Sequence, residues 1–471
     1  MKIDKFDKVM SLAKRRLFIF PGSGIYGGLT GIFDFGPLGV EMKNNIKKQW
    51  WKFMVTKRRN IIGIDGAIIT HNRVWEASGH IQNFTDPLVE DKVTHKRFRA
   101  DNLIKDWLEK HGDSNNTKVE LTDMNIIDMS EFIEQNNILS PDGNPITNAK
   151  SFNLLMSTEL GVTEGGKDVA YLRGEACQTI YLDYKYIIDS GRYKLPFGIC
   201  QIGKAFRNEI TPKHSLYRQR EFEQMDLQYF VAPEEMEKSY EYWKGERENW
   251  YKMLLNDFES IRFRQQTKNE LAHYAKVAFD VEYNAPFGWS ELEGIHWRGD
   301  WDLSRHGQYS GNDLTYTDPE TGNKFTPNIV ETSVGVDRTF LFLLLDAYNE
   351  EIVNNETRVI LRLHPLIAPV TVAILPLKKN ENQLNISQTI FDDLTDNFNV
   401  EIDVTGSIGK RYRRQDEIGT PFAVTIDDIT EDDGTVTVRD RDTMKQERVK
   451  INELTQFVQT KIKEYRKFVG N

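Results

Sequence analysis

The sequence predicts an α+β fold that closes on a smaller α/β domain, and three observations carry that reading. Residues 201–230 hold two alternating runs joined by a basic loop, the pattern of a hairpin. Residues 151–345 alternate most densely between strand-like and helix-like periods. After His364 the character changes: HPLIAPVTVAILPL reads as a buried strand, and strand and helix segments then alternate to the end. With 471 residues, 39% of them hydrophobic, the chain can bury a large core and form two or three domains.

Taken in order, residues 5–16 predict a short helix, followed by the glycine-rich PGSGIYGGLTGIFDFGPLG. From Val40 to Lys57, Ile46, Trp50, Phe53 and Met54 recur at helical spacing and predict a long amphipathic helix. The β-branched IIGIDGAII predicts a strand. Residues 86–150 are polar and irregular, punctuated by GDSNNTK and SPDGNP, and read as an insertion. The organisation expected is a discontinuous domain of residues 1–85 and 151–362, the insertion 86–150, and a C-terminal domain 363–471 with a largely parallel sheet, an amphipathic helix at 383–397 and a last helix at 452–468.

Composition narrows the function. A net charge of −10 argues against nucleic-acid binding by bulk electrostatics and leaves room for a local basic patch. The only cysteines, Cys177 and Cys200, form no CxxC pair, so neither a disulfide framework nor a structural zinc is expected. Cys177 and Cys200 read as packing residues, and His306 and His364 as structural. MKIDKFDKVMSLAKRRLFIF lacks the long apolar run of a signal peptide, and no window is apolar enough to span a membrane. A cytoplasmic protein without a membrane partner is expected.

The hairpin is where chemistry first shows. Alternation puts Gln201, Gly203, Ala205, Arg207 and Glu209 on one face and Ile202 and Phe206 on the other. Small residues beside long polar ones are how a sheet makes room for a ligand. In the return strand Phe222, Gln224, Asp226 and Gln228 share a face, backed by Met225, Leu227 and Tyr229. The loop carries Lys213, His214, Arg218 and Arg220, with no acid before Glu221, and can close over phosphates. A solvated hairpin with surface ion pairs is the plain alternative.

A second strand, in NIVETSVGVDRTFLFLLL, sets Ile329, Glu331 and Ser333 on one face; Gly335 then permits a tight turn into an apolar helix with Arg338 in its first turn. An arginine there opposes the helix dipole, and a bound phosphate would remove the conflict. In WSELEGIHWRGDWDLSRH, Glu291 and Glu293 fall on one strand face, where paired carboxylates are either ordinary strand acids or hold a cation, Mg²⁺ being the natural one beside bound phosphates.

FRNE followed by R-x-x-x-F resembles motif 2 of the class II aminoacyl-tRNA synthetases, and GVDR resembles a shortened motif 3. The resemblance implies an antiparallel catalytic sheet flanked by helices. It implies that Arg207 binds the α-phosphate, Arg218 reaches the γ-phosphate, Phe222 stacks on adenine and Glu209 lies near the adenine and the tRNA end. Asn208, Glu291, Leu292, Gly335 and Arg338 complete the implied ATP set, with Arg207 and Arg338 catalytic and Mg²⁺ accompanying ATP. The helix at 40–57 fits motif 1 and a homodimer interface, although the proline common in that motif is missing from IIGIDGAIIT.

Longer strings narrow the family. FDFGPLGVEMKNNI, VWEASGH, FRAD, ELEGIHWRGDWDL and VETSVGVDR together resemble the homodimeric type of glycyl-tRNA synthetase over nearly the whole chain. That likeness implies a ligase that activates glycine with ATP and transfers it to the 3′-terminal ribose of a glycine-accepting tRNA. It assigns Arg99, Glu175, Gln224, Glu331 and Ser333 to glycine. A pocket for so small a substrate rejects larger side chains by clash and has little need of editing. SIGKRYRRQDEIGTPFAVTIDD resembles the anticodon-binding domain shared by the glycyl, histidyl, prolyl and threonyl enzymes. Its Lys410, Arg411, Arg413 and Arg414 would meet tRNA, with a solvated strand edge as the alternative. Two departures flank the glycine pocket: RGEACQ stands at 173–178 where the family usually has RPETAQ, and Thr332 stands where proline is usual. A prolyl or threonyl enzyme, and a non-catalytic relative such as a polymerase accessory subunit, are the rival readings. The ELEG and VETS strings oppose the first, and the retained Arg207, Arg218 and Arg338 oppose the second.

Overall fold

The computed structural model describes residues 2–111, 124–161, 168–268, 270–272 and 274–465. Helix α1 (Lys2–Arg15) carries Asp4 in its first turn and Lys14 and Arg15 in its last, matching the helix dipole. Helix α2 (Pro37–Trp51) opens on a proline, whose missing N–H costs nothing there, and runs on into a π-helical turn at Lys52–Thr56. Ile46, Trp50 and Met54 form its buried stripe. Gly39 lets α2 pack close: a Cβ there would sit 1.9 Å from the Phe18 carbonyl oxygen.

The expected strand in IIGIDGAII divides. Its first part, β1 (Ile61–Gly63), joins the main sheet, and Ile69–His71 pairs instead with Asp168–Leu172 in a small separate sheet. Between them the Gly66 amide donates to the Gln201 side chain, and a Cβ at Gly66 would strike Thr179.

After helix α3 (Gln178–Gly191) the main sheet is assembled from β2 (Phe197–Phe206), β3 (Glu221–Val231), helix α4 (Met236–Leu254), β4 (Ile261–Gln265), β5 (Val277–Ala285), β6 (Gly288–Gly299), helix α5 (Trp301–Ser310), β7 (Asn328–Gly335) and helix α6 (Val336–Ala347). The strand order is β4-β5-β6-β7-β3-β2-β1, antiparallel throughout except for β2 with β1. One face packs on α2, α4 and α6 through a core that includes Met225, Leu227, Tyr229, Val281, Ile295, Val330 and Val334. Among the described residues, α3 and α5 cover one end of the other face, over Phe197, Ile199, Phe230 and Ile329. Further along, that face forms the floor of a cleft.

The described residues of the 86–150 segment, 86–111 and 124–150, are more ordered than their polarity suggests; the GDSNNTK loop lies outside the described residues. Strands Thr85–Glu90, Arg97–Arg99 and Lys150–Asn153 pair, and helices Ala100–His111 and Ile126–Gln135 close over them. Their core gathers Val89, Leu103, Ile104, Met129, Ile133 and Ile146. Asn125 and Asp128 form a reciprocal capping box on the second helix.

In the C-terminal part, β8 (Val372–Pro376), helix α7 (Glu381–Thr395), β9 (Val400–Ile402), helix α8 (Ile408–Ile418), β10 (Phe422–Ile426), β11 (Thr435–Asp440), β12 (Gln446–Lys450) and helix α9 (Leu454–Glu464) form an α/β unit. Its sheet, ordered β9-β8-β10-β11-β12, is mixed rather than largely parallel: β9, β8 and β10 are parallel, and β11–β12 add an antiparallel edge. A hairpin, Tyr348–Val353 with Glu356–Leu361, docks on it. There the fully buried Arg358 donates to Asp416, which also accepts from Arg439, while Arg441 donates to the carbonyls of Leu363 and Gly419. No helix among the described residues is long and apolar enough to cross a membrane.

Candidate active site

The open sheet face carries a cleft of about 620 Å³. Two clusters line it, one basic and aromatic, the other acidic.

The basic cluster comes from the ends of β2, β3, β6 and α6. Arg207 follows the last residue of β2, donates from Nε to the Gly174 carbonyl at 3.1 Å, and stacks 5.3 Å from the ring centre of Phe222. Phe222 is held on the cleft side by its pairing with Ala205. Arg338, in the first turn of α6, donates to the Tyr217 carbonyl at 3.1 Å and to Glu291 Oε1 at 2.9 Å. Arg338 beside it holds the Glu291 carboxyl below its ordinary pKa. Arg218 closes this end, its Nε 4.0 Å from Glu209 Oε2. Leu292 and Gly335 complete the wall.

Gly335 is extended (φ −72°, ψ 126°), so β7 passes straight into α6 and the expected tight turn is not formed. Asn208 does not line the cleft; its backbone N–H donates to the Leu154 carbonyl at 2.7 Å. Arg220 is committed to the carbonyls of Glu209 and Thr30. The room expected at Gly203 is filled from within the protein: a Cβ there would lie 2.0 Å from Arg173 Nη2.

Glu293 is the clearest correction. Glu291 pairs with Glu282 but Glu293 pairs with Val281, so Leu292 is an extra residue on β6. This β-bulge breaks the alternation and turns Leu292 and Glu293 together toward the core. The Glu293 carboxylate is buried against α4, accepting from Arg247 Nε at 2.6 Å and Nη2 at 3.0 Å, with the Tyr251 hydroxyl as a third donor. It cannot share a cation with Glu291.

The acidic cluster lies deeper. Glu175, Asp226 and Glu331 are buried and approach from the segment before α3, from β3 and from β7. Cys177 Sγ and one carboxylate oxygen each of Asp226 and Glu331 lie within 4.8 Å of one another. Arg298 on β6 donates from Nη1 to both oxygens of Glu331 at 3.0 Å and from Nε to Asp302 at 2.8 Å. His296 adds a 2.6 Å contact to Glu331. Glu175 accepts from Gln178 at 2.8 Å and faces His80 at 3.2 Å. Gln224 accepts from the Ala176 N–H at 2.9 Å, and Ser333 donates to Asp226 at 3.2 Å.

Burial pushes the Glu331 carboxyl up, but Arg298 and His296 outweigh it and leave the group ionised, well below the usual range. Glu175 is likewise held low, chiefly by His80 and Arg298 acting against burial. Asp226 moves the other way: burial, reinforced by Glu331 and Glu175, raises it well above an ordinary carboxyl. The pocket therefore carries more acid than its arginine neutralises, which suits a small cation. Arg99 reaches the cleft from the 86–150 segment, bound to Asp86 at 2.7 Å and to both oxygens of Asp101.

Sequence reasoning placed Asp226 on the polar face of its strand without a role, and missed Arg298, His296 and His80 as site residues. A signal existed for two of them: in GIHWRG, core-facing Ile295 and Trp297 alternate with His296 and Arg298.

The candidate tRNA residues sit on helix α8, not on a strand edge. Arg411 is buried and donates to the carbonyls of Pro376, Asp403 and Gly406, so it is structural. Arg414 pairs with Asp403 at 2.6 Å. Lys410 is exposed, and Arg413 makes one 3.7 Å contact with Glu356.

Two family models match the chain: the tRNA synthetase class II core domain (G, H, P, S and T) over residues 161–348, and the anticodon binding domain over residues 371–461. The chain is 48% identical to the glycine–tRNA ligase of Caldanaerobacter subterraneus subsp. tengcongensis, covering 97% of this chain and 98% of that one. It belongs to the glycine–tRNA ligase family. A second relative, the glycine–tRNA ligase of Treponema denticola, is 46% identical over 98% of each chain. Among solved structures, prolyl-tRNA synthetase from Cryptosporidium parvum, complexed with L-proline and AMP, superposes with a TM-score of 0.62. It has 15% identity, covering 98% of this chain and 76% of that chain. The last likeness shows the fold: a class II core with its antiparallel sheet and a C-terminal mixed α/β domain.

Proposed function

We propose that the cleft performs glycine–tRNA ligation in two steps, with the basic cluster holding ATP and the acidic cluster holding glycine. The observation that carries this division is that both clusters lie on one open sheet face, arginines and Phe222 at one end and surplus carboxylate at the other. In the first step a glycine carboxylate oxygen bonds to the α-phosphorus of ATP and pyrophosphate leaves. Arg207 and Arg338 stabilise the charge developing there, and positioning supplies much of the rest. ATP enters as its magnesium complex, and of the two acids on β6 only Glu291 faces it. In the second step the 3′-hydroxyl of the terminal ribose attacks the glycyl carbonyl and AMP leaves.

Glu175, Glu331 and Ser333, aided by Gln224, take the glycine ammonium, and Arg99 closes the substrate end. Phe222 meets the adenine, and Arg218 the γ-phosphate. The working organisation is a catalytic domain of residues 1–85 and 151–362, an inserted unit at 86–150 and an anticodon-binding domain at 363–471, in a cytoplasmic homodimer. Lys410, which is exposed, and Arg413, held only by its 3.7 Å contact with Glu356, are the cations of α8 left for tRNA.

Pyrophosphate exchange into ATP, run with each of the twenty amino acids and no tRNA, tests the reading. Exchange with glycine alone is expected. Arg207→Ala should lower it by about 10³-fold with the fold intact; near-normal exchange in that variant would remove Arg207 from its role. Glu331→Ala should weaken glycine use, and unchanged glycine kinetics would overturn that assignment.

A further inference from the structure

At the edge of the ATP wall, where Asp337 also lines the cleft, lies a largely buried set of charges that none of these roles uses. Lys43 on α2 donates to Asp337 Oδ1 at 2.6 Å and lies 3.2 Å from Glu223 Oε2. Lys47, one turn on, reaches Glu223 Oε1 at 3.1 Å. The second oxygen of Asp337 accepts the Glu223 backbone N–H at 2.9 Å. The Lys43 and Asp337 side chains are only 8% and 2% exposed. Burial pulls the Lys43 ammonium down, yet Asp337 and Glu223 together leave its pKa above the ordinary lysine value.

Neighbours in sequence give this knot its meaning. Glu223 follows Phe222 and Asp337 precedes Arg338. Two contacts of the ATP wall, from elements over a hundred residues apart, are thus tied to each other and to α2. A buried ion pair is seldom the most stabilising filling for such a space, because desolvation offsets most of its attraction. Its directional hydrogen bonds do fix geometry, and ATP activation depends on geometry.

We propose that Lys43 and Lys47 are positioning residues for the ATP half of the site: by holding Asp337 and Glu223 they set the start of α6 against the start of β3, and so set Arg338 against Phe222. The proposal rests on the reading of Phe222 and Arg338 as ATP contacts.

The test is ATP–pyrophosphate exchange with ATP and glycine varied separately, on full-length protein whose folding is checked by circular dichroism. For Lys43→Met the expected result is an ATP KM raised about tenfold and kcat lowered about tenfold, with glycine KM within about twofold of wild type. Lys47→Gln, at a half-buried position that tolerates change, should raise ATP KM about threefold and leave glycine KM alone. It decides the matter if Lys43→Met does not fold. Adding Asp337→Asn to Lys43→Met should recover part of the ATP affinity, because the amide keeps its acceptor for the Glu223 N–H without an unpaired charge. Equal rises in both KM values, or an unchanged ATP KM in Lys47→Gln, would overturn the proposal. Arg338→Ala separates the two layers. If that variant keeps normal ATP kinetics, the reading of the ATP wall fails. If it is inactive while the lysine variants are normal, the positioning proposal alone fails.

Discussion

Glu293→Gln asks whether the bulge in β6 sends that carboxylate into the core, as described. Glu293 and Arg247 are both completely buried, and the carboxylate takes two guanidinium hydrogen bonds and the Tyr251 hydroxyl. Removing one charge of such a pair leaves the other desolvated, at a cost of about 3–5 kcal/mol. An unfolding entropy of about 2.1 cal/mol/K per residue gives roughly 0.75 kcal/mol/K for a cooperative unit of about 350 residues, so Tm should fall by about 4–7 °C. Scanning calorimetry measures the shift, and pyrophosphate exchange well below Tm measures the chemistry. ATP KM and the magnesium requirement should stay within about twofold of wild type. Glu291→Gln should do the reverse, raising ATP KM with little change in Tm, because Glu291 is 52% exposed and bound to Arg338. A Glu293→Gln protein with unaltered Tm and an increased magnesium requirement would refute the bulge argument.

Four other outcomes are expected. Asp226, raised by burial and by Glu331 and Glu175, holds a proton in the free enzyme until the pH exceeds its elevated pKa. Binding an ammonium favours its ionised form, so glycine KM should rise by up to about tenfold per unit as pH falls below that pKa. Asp226→Asn should flatten the profile, and an unchanged slope would show that another group titrates. Thr332 has a buried hydroxyl without a hydrogen-bond partner among the described residues, so Thr332→Val should stabilise by about 1 kcal/mol, read as a Tm rise of about 1 °C. In α8, Arg411→Ala should destabilise the C-terminal unit by about 2–3 kcal/mol through its lost carbonyl contacts. Lys410→Ala with Arg413→Ala should instead raise tRNA KM and leave tRNA-free exchange untouched, as steady-state aminoacylation would report.

Much of the sheet was legible because single strands declare their own faces. Met225, Leu227 and Tyr229 alternate with Gln224, Asp226 and Gln228, and the structure buries the first set in the core and turns the second to the opposite face. The strand around Glu331 and the helix-initial Arg338 could be read in the same way. What escaped depends on partners. The bulge at Leu292 is a property of β6 against β5, and nothing in SELEG announces it. The core of residues 86–150 escaped because Val89, Leu103, Met129 and Ile146 come from separate polar segments and meet only in the fold. The α8 helix, by contrast, had its signals: Ser407 precedes it, and Gly419 ends it at a φ of 81°. Its string of basic residues reads equally well as a solvated strand edge. Arg298 was overlooked because a buried arginine makes sense only once the acids around it are known.

The clasp through Asp416 bears on how the chain is made. Arg358 leaves the ribosome soon after one carboxylate partner, Glu351 of the same hairpin, but the other, Asp416, lies 58 residues further on. During that interval the guanidinium has only part of its native site, on a surface meant to be covered. Synthesis that stops short of residue 416 therefore leaves that face of the hairpin without its second acid. Only a chain translated through Asp416 and Arg439 can seal it.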